Sequence, residues 1–405
     1  MRARLLLLGL LTLPALPSQG QYNFKILHAF GSGNDGGGLY DSVTFDVQGN
    51  LYGTTAGGGA YNDGTVFQLK PASKGTWKES ILHSFPSRPN DGMAPLGGVM
   101  LGPEGRFYGT TQVGGAYSAG TVFELALLPH GWKETPLYSF THDDQACCPW
   151  GNLVTDSVGN LYGTGDAAFE ISPRTKGWTE KILHVFNGKN GDGVALYAGP
   201  IRDADGNLYG TTDMGGGSKD CDDGCGTVWE LSPPAPGSPT QGWTEHILHR
   251  FGVGDDLAFP GSGQLAMDPQ GNLYGGVLGG KYRAAVIYKL SPVSTTSSTG
   301  KAWQLTVLYN FTGGPDGDFP AGVILDKAGS LYGVCGAGGA YGEGTVFKLS
   351  PQSDGTWKFT LLHTFTGHDG FNAVANPTLG PDGKLYGTAE SGGPHGGGVV
   401  FQLTP

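Results

Sequence analysis

The chain has 405 residues, of which 15% are charged and 38% hydrophobic, with 74 glycines, 26 prolines and a formal net charge of -11. An excess of acid repels phosphate backbones and anionic lipid headgroups, so nucleic acid and anionic membranes are excluded as partners and a neutral or cationic one is favoured. So many turn-forming residues, without any long amphipathic helical pattern, point to short strands joined by tight turns.

The first segment reads Met1-Arg2-Ala3-Arg4, an apolar run from Leu5 to Leu16, then Ser18-Gln19-Gly20. Basic start, short apolar stretch and small residues at a cleavage point predict a secretory signal peptide over residues 1–20. The run is about half the ~20 residues that a membrane-spanning helix needs, so no membrane span is expected. It holds no cysteine, which argues against a lipid-anchored N-terminus. The predicted location is therefore secreted or periplasmic, with residues 21–405 forming one domain.

The first full unit begins with a short strand at Val43 to Asp46, turns through Asp46-Val47-Gln48-Gly49-Asn50, and returns as Leu51-Tyr52-Gly53-Thr54-Thr55. Asp at the first turn position and Gly at the fourth is type I turn chemistry. A glycine-rich hairpin then leads to Gly64-Thr65-Val66-Phe67-Gln68-Leu69, and a fourth strand runs from Trp77 to Phe85. The Leu-Tyr-Gly motif returns at Phe107, Leu161, Leu208, Leu273, Leu331 and Leu385. Spacings of 47 to 65 residues signal one small antiparallel sheet per unit.

An aromatic residue stands eight positions before a phenylalanine in six fourth strands, from Trp77/Phe85 to Trp357/Phe365. The seventh unit stops after its third strand at Leu403, whereas Tyr22 to Phe30 has the pattern of the absent strand. The prediction is an all-β, seven-bladed β-propeller of four-stranded antiparallel blades, closed by the N-terminal strand completing the last blade.

Gly-Asn-Leu-Tyr-Gly-Thr-Thr followed by Gly-Gly and then Gly-Thr-Val-Phe resembles the Gloeo-Verruco (GloVer) tandem repeat of exported bacterial proteins, and more loosely NHL-type propeller repeats. The resemblance covers residues 22 to 405 and implies an extracellular or envelope protein of undefined activity. Some relatives carry a C-terminal sorting anchor; Thr404-Pro405 is not one, so attachment by that route is not expected.

On a propeller, the loops between blades and the hairpins between second and third strands share one face, which by analogy is the binding face. Here that face is predicted to hold acids in every inter-blade loop: Asp35, Asp91, Asp143 and Asp144, Asp192, Asp255 and Asp256, Asp316 and Asp318, and Asp369. Two readings stand, turn chemistry or a cationic ligand. Tyr61, Tyr117, Tyr282 and Tyr341 occupy equivalent hairpin positions, where they stack on a ligand or cover their own glycines. His28, His83, His184, His249 and His363 repeat at one fourth-strand position, with Tyr138 and Tyr309 in the other two blades, and are expected to be structural.

A single site must break the seven-fold pattern. The hairpin collapses to Gly165-Asp166 in the third blade and lengthens in the fourth, where it carries Lys219-Asp220-Cys221-Asp222-Asp223-Gly224-Cys225. A Cys221–Cys225 disulfide is expected to clamp that loop. Asp166, Asp220, Asp222 and Asp223 would face a notch there, with Trp150 and Tyr117 as stacking surfaces. Neighbouring Cys147 and Cys148, and Cys335, have no assigned pairing. No nucleophile elbow, metalloprotease helix, phosphate loop or dinucleotide fingerprint is present, so neither cofactor nor metal is expected. The reading favoured is a monomeric binding module for an extracellular polysaccharide or a peptide or protein. The alternatives are a polymer-acting lyase or hydrolase using acids of the third and fourth blades, and a structural envelope protein.

Overall fold

Each residue of the Leu-Tyr-Gly-Thr-Thr motif has its own structural task. In a computed structural model, which describes residues 22–404 apart from 87, 144, 236, 238–241, 255–256, 262, 280–284 and 294–301, Leu51–Thr55 is a fully buried strand. The Tyr52 hydroxyl donates to Asp46 Oδ2 at 3.0 Å, while Asp46 Oδ1 accepts the backbone N–H groups of Gln48 and Asn50, each at 2.9 Å. The turn aspartate is thus consumed by its own turn, and the same tyrosine–aspartate bond recurs at Tyr162, Tyr209 and Tyr274. A Cβ on Gly53 would meet Phe67 Cζ at 2.6 Å, so only glycine lets the third-strand ring lie across the second strand. Thr54 donates to the carbonyl of Gly97 in the next blade at 2.9 Å, and the Thr55 and Thr65 hydroxyls meet at 2.8 Å.

Seven such four-stranded antiparallel sheets form the propeller. Blade 1 is Thr44–Phe45, Leu51–Thr55, Thr65–Pro71 and Trp77–Ser84. Blade 7 consists of Thr378–Leu379, Leu385–Ala389 and Val399–Thr404, and its fourth place is filled by Asn23–Ala29, with Asn23 opposite Thr404 and Ala29 opposite Val399. The ring therefore closes as the end-to-end pattern predicts.

Blades join through aromatic pairs. The phenylalanine ending each fourth strand packs on the third-strand ring of the next blade, as in Phe30–Phe67 at 4.8 Å, Phe85–Phe123 at 5.4 Å and Phe186–Trp229 at 5.2 Å between centroids. A β-bulge interrupts every pairing of third and fourth strands just before the repeated His or Tyr, as between Ile26 and His28. Bulges re-aim a side chain, and here the ring turns toward the following inter-blade loop. His28 meets Asp35 at 3.2 Å, His83 meets Asp91 at 3.1 Å, His363 meets Asp369 at 2.9 Å, and Tyr309 donates to Asp316 at 2.9 Å. These loop acids are held by outer strands and their own turns, as the backbone N–H groups of Gly31 and Ser32 on Asp35 also show.

The expected signal peptide lies outside the described residues, as do Tyr282, Asp144, Asp255 and Asp256. Among the described residues, no helix is long and apolar enough to cross a membrane.

Candidate functional site in the axial cavity

The innermost chain segments decide what the ring encloses. On the inner connections six blades carry Gly97, Gly151, Ala198, Gly263, Ala321 and Ala375, small residues that let the segments approach closely; five stand three residues before the first strand, and Ala321 lies within the strand Asp318–Leu325. Gly151 illustrates the demand, since a Cβ there would meet Gly199 N at 2.0 Å. Blade 1 alone has a charged residue, Asp41. Its carboxylate accepts the Gly98 N–H at 3.0 Å and the Asn152 side-chain amide at 2.9 Å, from blades 2 and 3. On the other side, Asn376 donates to the Gln264 carbonyl at 2.7 Å and Gln264 to the Pro200 carbonyl at 2.8 Å. Burial pushes the Asp41 carboxyl above its ordinary range, opposed by the hydrogen bonds from Ser42, Gly98 and Asn152.

Above this polar floor lies a cavity of about 320 Å³. One residue further out, the same connections supply Tyr40, Leu96, Trp150 and Tyr197 from blades 1 to 4 and Val374 from blade 7. Three aromatic rings therefore line the cavity. Trp150 and Tyr197 meet edge to face, centroids 5.3 Å apart, which holds both in place. Asn372, Asn376, Gln264 and Glu390 line it from blades 5 and 7. Glu390 is itself oriented by the Asn372 amide and by the Tyr40 hydroxyl, a bond that raises the Tyr40 pKa ahead of burial.

A second cavity, also about 320 Å³, adjoins the first through the shared residues Asn372 and Val374. Its lining includes Phe259, Leu278, Phe319 and Pro320 together with Asp213. Phe259, Phe319 and Asn372 all have left-handed backbones, with φ of 58°, 53° and 56°. Glycine usually takes such positions, and in blade 1 Gly38 does (φ 73°). The Phe259 and Phe319 rings line this cavity. Burial raises the Asp213 carboxyl to about 6.

Of the residues singled out in the sequence, the axial cavity takes Trp150 alone. Asp220, Asp222 and Asp223 are exposed on a loop closed by the Cys221–Cys225 disulfide. Cys225 is buried against Phe251 and Tyr288 between blades 4 and 5, and Ser218 donates to the Gly252 carbonyl at 2.9 Å, so this loop leans away from blade 3. A Cβ on Gly165 would meet the Cys147 carbonyl at 2.3 Å, so the incoming loop of blade 3 fills that space. Asp166 accepts from the Cys147 thiol at 3.2 Å. Tyr61, Tyr117 and Tyr341 stand exposed on their hairpins, outside both cavities. Sequence reasoning missed Asp41, although a lone acid in a column of glycine and alanine is a readable departure from the repeat. It also missed Tyr40, Tyr197, Asp213 and Glu390.

The sequence profile of the Gloeobacter/Verrucomicrobia repeat family matches residues 15–221 and again 219–405. No curated protein sequence matches the chain. Among solved structures, the chain is similar to extracellular domains 1–2 of Drosophila Semaphorin 1a, with 10% identity over 94% of this chain and 88% of that one and a TM-score of 0.49. It is also similar to the PQQ-bound aldose sugar dehydrogenase of Streptomyces coelicolor, with 15% identity, coverage of 95% and 98%, and a TM-score of 0.45. A luciferin-regenerating enzyme is 14% identical over 74% of this chain and 87% of that one, with a TM-score of 0.44.

Proposed function

This chain belongs to the Gloeobacter/Verrucomicrobia repeat family, and from that premise we propose that it is an exported binding propeller whose axial cavity takes an extracellular saccharide. The observation that carries the reading is the mixed lining of the cavity, where the rings of Tyr40, Trp150 and Tyr197 and the polar groups of Asn372, Asn376, Gln264 and Glu390 border one space. A sugar ring has apolar C–H faces and a rim of hydroxyls. Aromatic rings cover the former, while carboxamides and carboxylates pair with the latter. The adjoining cavity around Phe259 and Phe319 extends the site along the face, which favours an oligomer over a single sugar. The basic, apolar start of the chain supports a secreted or periplasmic location.

The test is a glycan array with the mature chain, followed by titration of any hit against Trp150→Ala. Loss of one stacking ring should weaken binding by roughly 1–2 kcal/mol, about ten-fold. Equal binding by wild type and variant removes the cavity from the reading. Asp41 and Glu390 are two carboxyl groups in one cavity, the chemistry glycoside cleavage uses. Chromatography of a bound oligosaccharide after long incubation separates a binder from a hydrolase or lyase.

A further inference from the structure

Outside the axial site, one set of groups recurs at the joints between blades. Among the described residues, a fourth-strand ring and the following loop aspartate face the fourth strand of the next blade, as His83 and Asp91 meet Glu134 and as His184 and Asp192 meet Glu245. Two residues beyond its aromatic start, that strand offers Glu79, Glu134, Glu180 and Glu245 in blades 1 to 4, but Leu305, Phe359 and Phe24 in blades 5 to 7. Where the residue is phenylalanine, a ring fills the joint: Phe359 stacks on Tyr309 at 4.4 Å and Phe24 on His363 at 3.8 Å. Where it is glutamate, a second carboxyl group is brought against the first.

Two of these joints gather three metal-type donors within 4.8 Å of one another: His83, Asp91 and Glu134, and His184, Asp192 and Glu245. In the first, the arginine Arg88 pairs with Glu134, whose side chain is wholly buried, so a guanidinium already supplies a cation there. Glu134 Oε1 nevertheless has no hydrogen-bond partner. In the second joint the same spacing from the histidine places Lys189, an exposed side chain, and the nearby Arg250 is bonded through Nε to the Gly191 carbonyl at 3.1 Å. His184 Nε2 lies 3.4 Å from Asp192 Oδ2 and 3.6 Å from Glu245 Oε2. His184 Nε2 and Glu245 Oε1 are both covered by protein and without a hydrogen-bond partner.

From this geometry we propose that His184, Asp192 and Glu245 bind a divalent cation of the zinc type between blades 3 and 4. Four ligands at ~2.1 Å from a tetrahedral zinc lie ~3.4 Å from each other, which is the spacing of the imidazole nitrogen from both carboxylates. One imidazole and two carboxylates suit zinc or manganese better than calcium, which prefers six or more oxygens. Three protein donors leave a fourth position for water. The backbone N–H of Asn187 on Asp192 Oδ2, at 2.9 Å, orients one ligand from behind. The bound cation would add to the nearby charge of Arg250, which already acts on Glu245, and would tie the outer strands of blades 3 and 4.

The experiment uses the full mature chain in a Cys147→Ser, Cys148→Ser background, so that these free thiols do not compete for metal. After chelator treatment it is titrated by calorimetry with zinc chloride and, separately, manganese chloride, and its melting temperature is followed with each. One equivalent of bound metal and a higher melting temperature are expected, with both lost in Glu245→Gln and His184→Ala. Glu245→Gln preserves shape, and circular dichroism without metal establishes that it folds. In wild type, visible absorption of bound cobalt(II) gives a readout independent of any variant. The proposal is overturned if the wild type takes up neither metal stoichiometrically, the result expected of a proton shared by the two carboxyl groups. It is equally overturned if Glu245→Gln binds like wild type.

Discussion

Phe30, at the end of the strand that the N-terminal region lends to blade 7, packs its ring against Phe67 of blade 1 with centroids 4.8 Å apart. Both rings are fully buried. One aromatic contact therefore joins the two ends of the repeat array. Phe30→Ala should cost about 3–5 kcal/mol, the range for emptying a buried phenylalanine site. Deleting residues 21–30 removes the whole fourth strand and should cost more. Urea titration measures both, and an unchanged midpoint after the deletion would show that the ring does not depend on this closure.

Gly53→Ala tests the motif from within. The added methyl group would stand 2.6 Å from Phe67 Cζ, inside contact distance of a ring that is itself fully buried. Overpacking of this kind typically costs about 1–3 kcal/mol. Gly49→Ala serves as a comparison, since nothing lies near its added carbon, although its φ of 83° carries the separate cost of a left-handed residue. Thermal melts should show the larger loss at Gly53 if ring contact governs, and the larger at Gly49 if backbone strain does.

Such detail was legible because it is repeated. Six copies of Leu-Tyr-Gly, one of Phe-Tyr-Gly and the exchange of one strand between the ends specify blade number and closure, since every copy solves the same packing problem. The site was less legible for the opposite reason. Its groups are lone departures at positions whose neighbours come from other blades. Asp41 meets Asn152 across 111 residues of chain, and no local pattern marks that pairing. Hairpin length misled because an absent hairpin does not leave a hole when another loop can fill it, as the Cys147 carbonyl does beside Gly165. The hairpin tyrosines repeat with the loop tips, so their recurrence does not single out one site. Tyr341, 66% exposed, belongs to neither cavity.

The Cys221–Cys225 bridge closes a short loop, and loop length sets its expected effect. Closure of so few residues removes only about 2 kcal/mol of chain entropy from the unfolded state. Cys221→Ser with Cys225→Ser should therefore leave the propeller folded, with global stability lower by no more than that amount. Local ordering should change more, because Gly215, Gly216 and Gly217 precede the bridge in left-handed conformations. Hydrogen exchange over residues 215–226 should accelerate in the double variant while the strand Thr227–Ser232 stays protected. Equal exchange in both segments would mean that the bridge orders nothing the blade does not.

Asp213 supplies the pH dependence. Burial among Phe259, Leu278 and Phe319 raises its carboxyl from the ordinary 3.8 to about 6 in the folded chain. The native state therefore holds the proton more tightly than the unfolded state does. This favourable contribution is fully present below pH ~4 and is lost as pH rises through ~6. Above that, the chain carries a charge in a poorly solvated cavity, at a cost of up to about 3 kcal/mol from the shift of roughly two pH units, less where water enters the cavity. Asp213→Asn keeps the shape and removes the charge. It should raise stability at pH 8 by about 1–3 kcal/mol and leave it unchanged at pH 4, as read from paired melting curves. A variant equally stabilised at both pH values would place its effect in packing. One destabilised at pH 8 would mean that the ionised carboxylate has a favourable partner, and would point to a cationic group as the natural occupant of the second cavity.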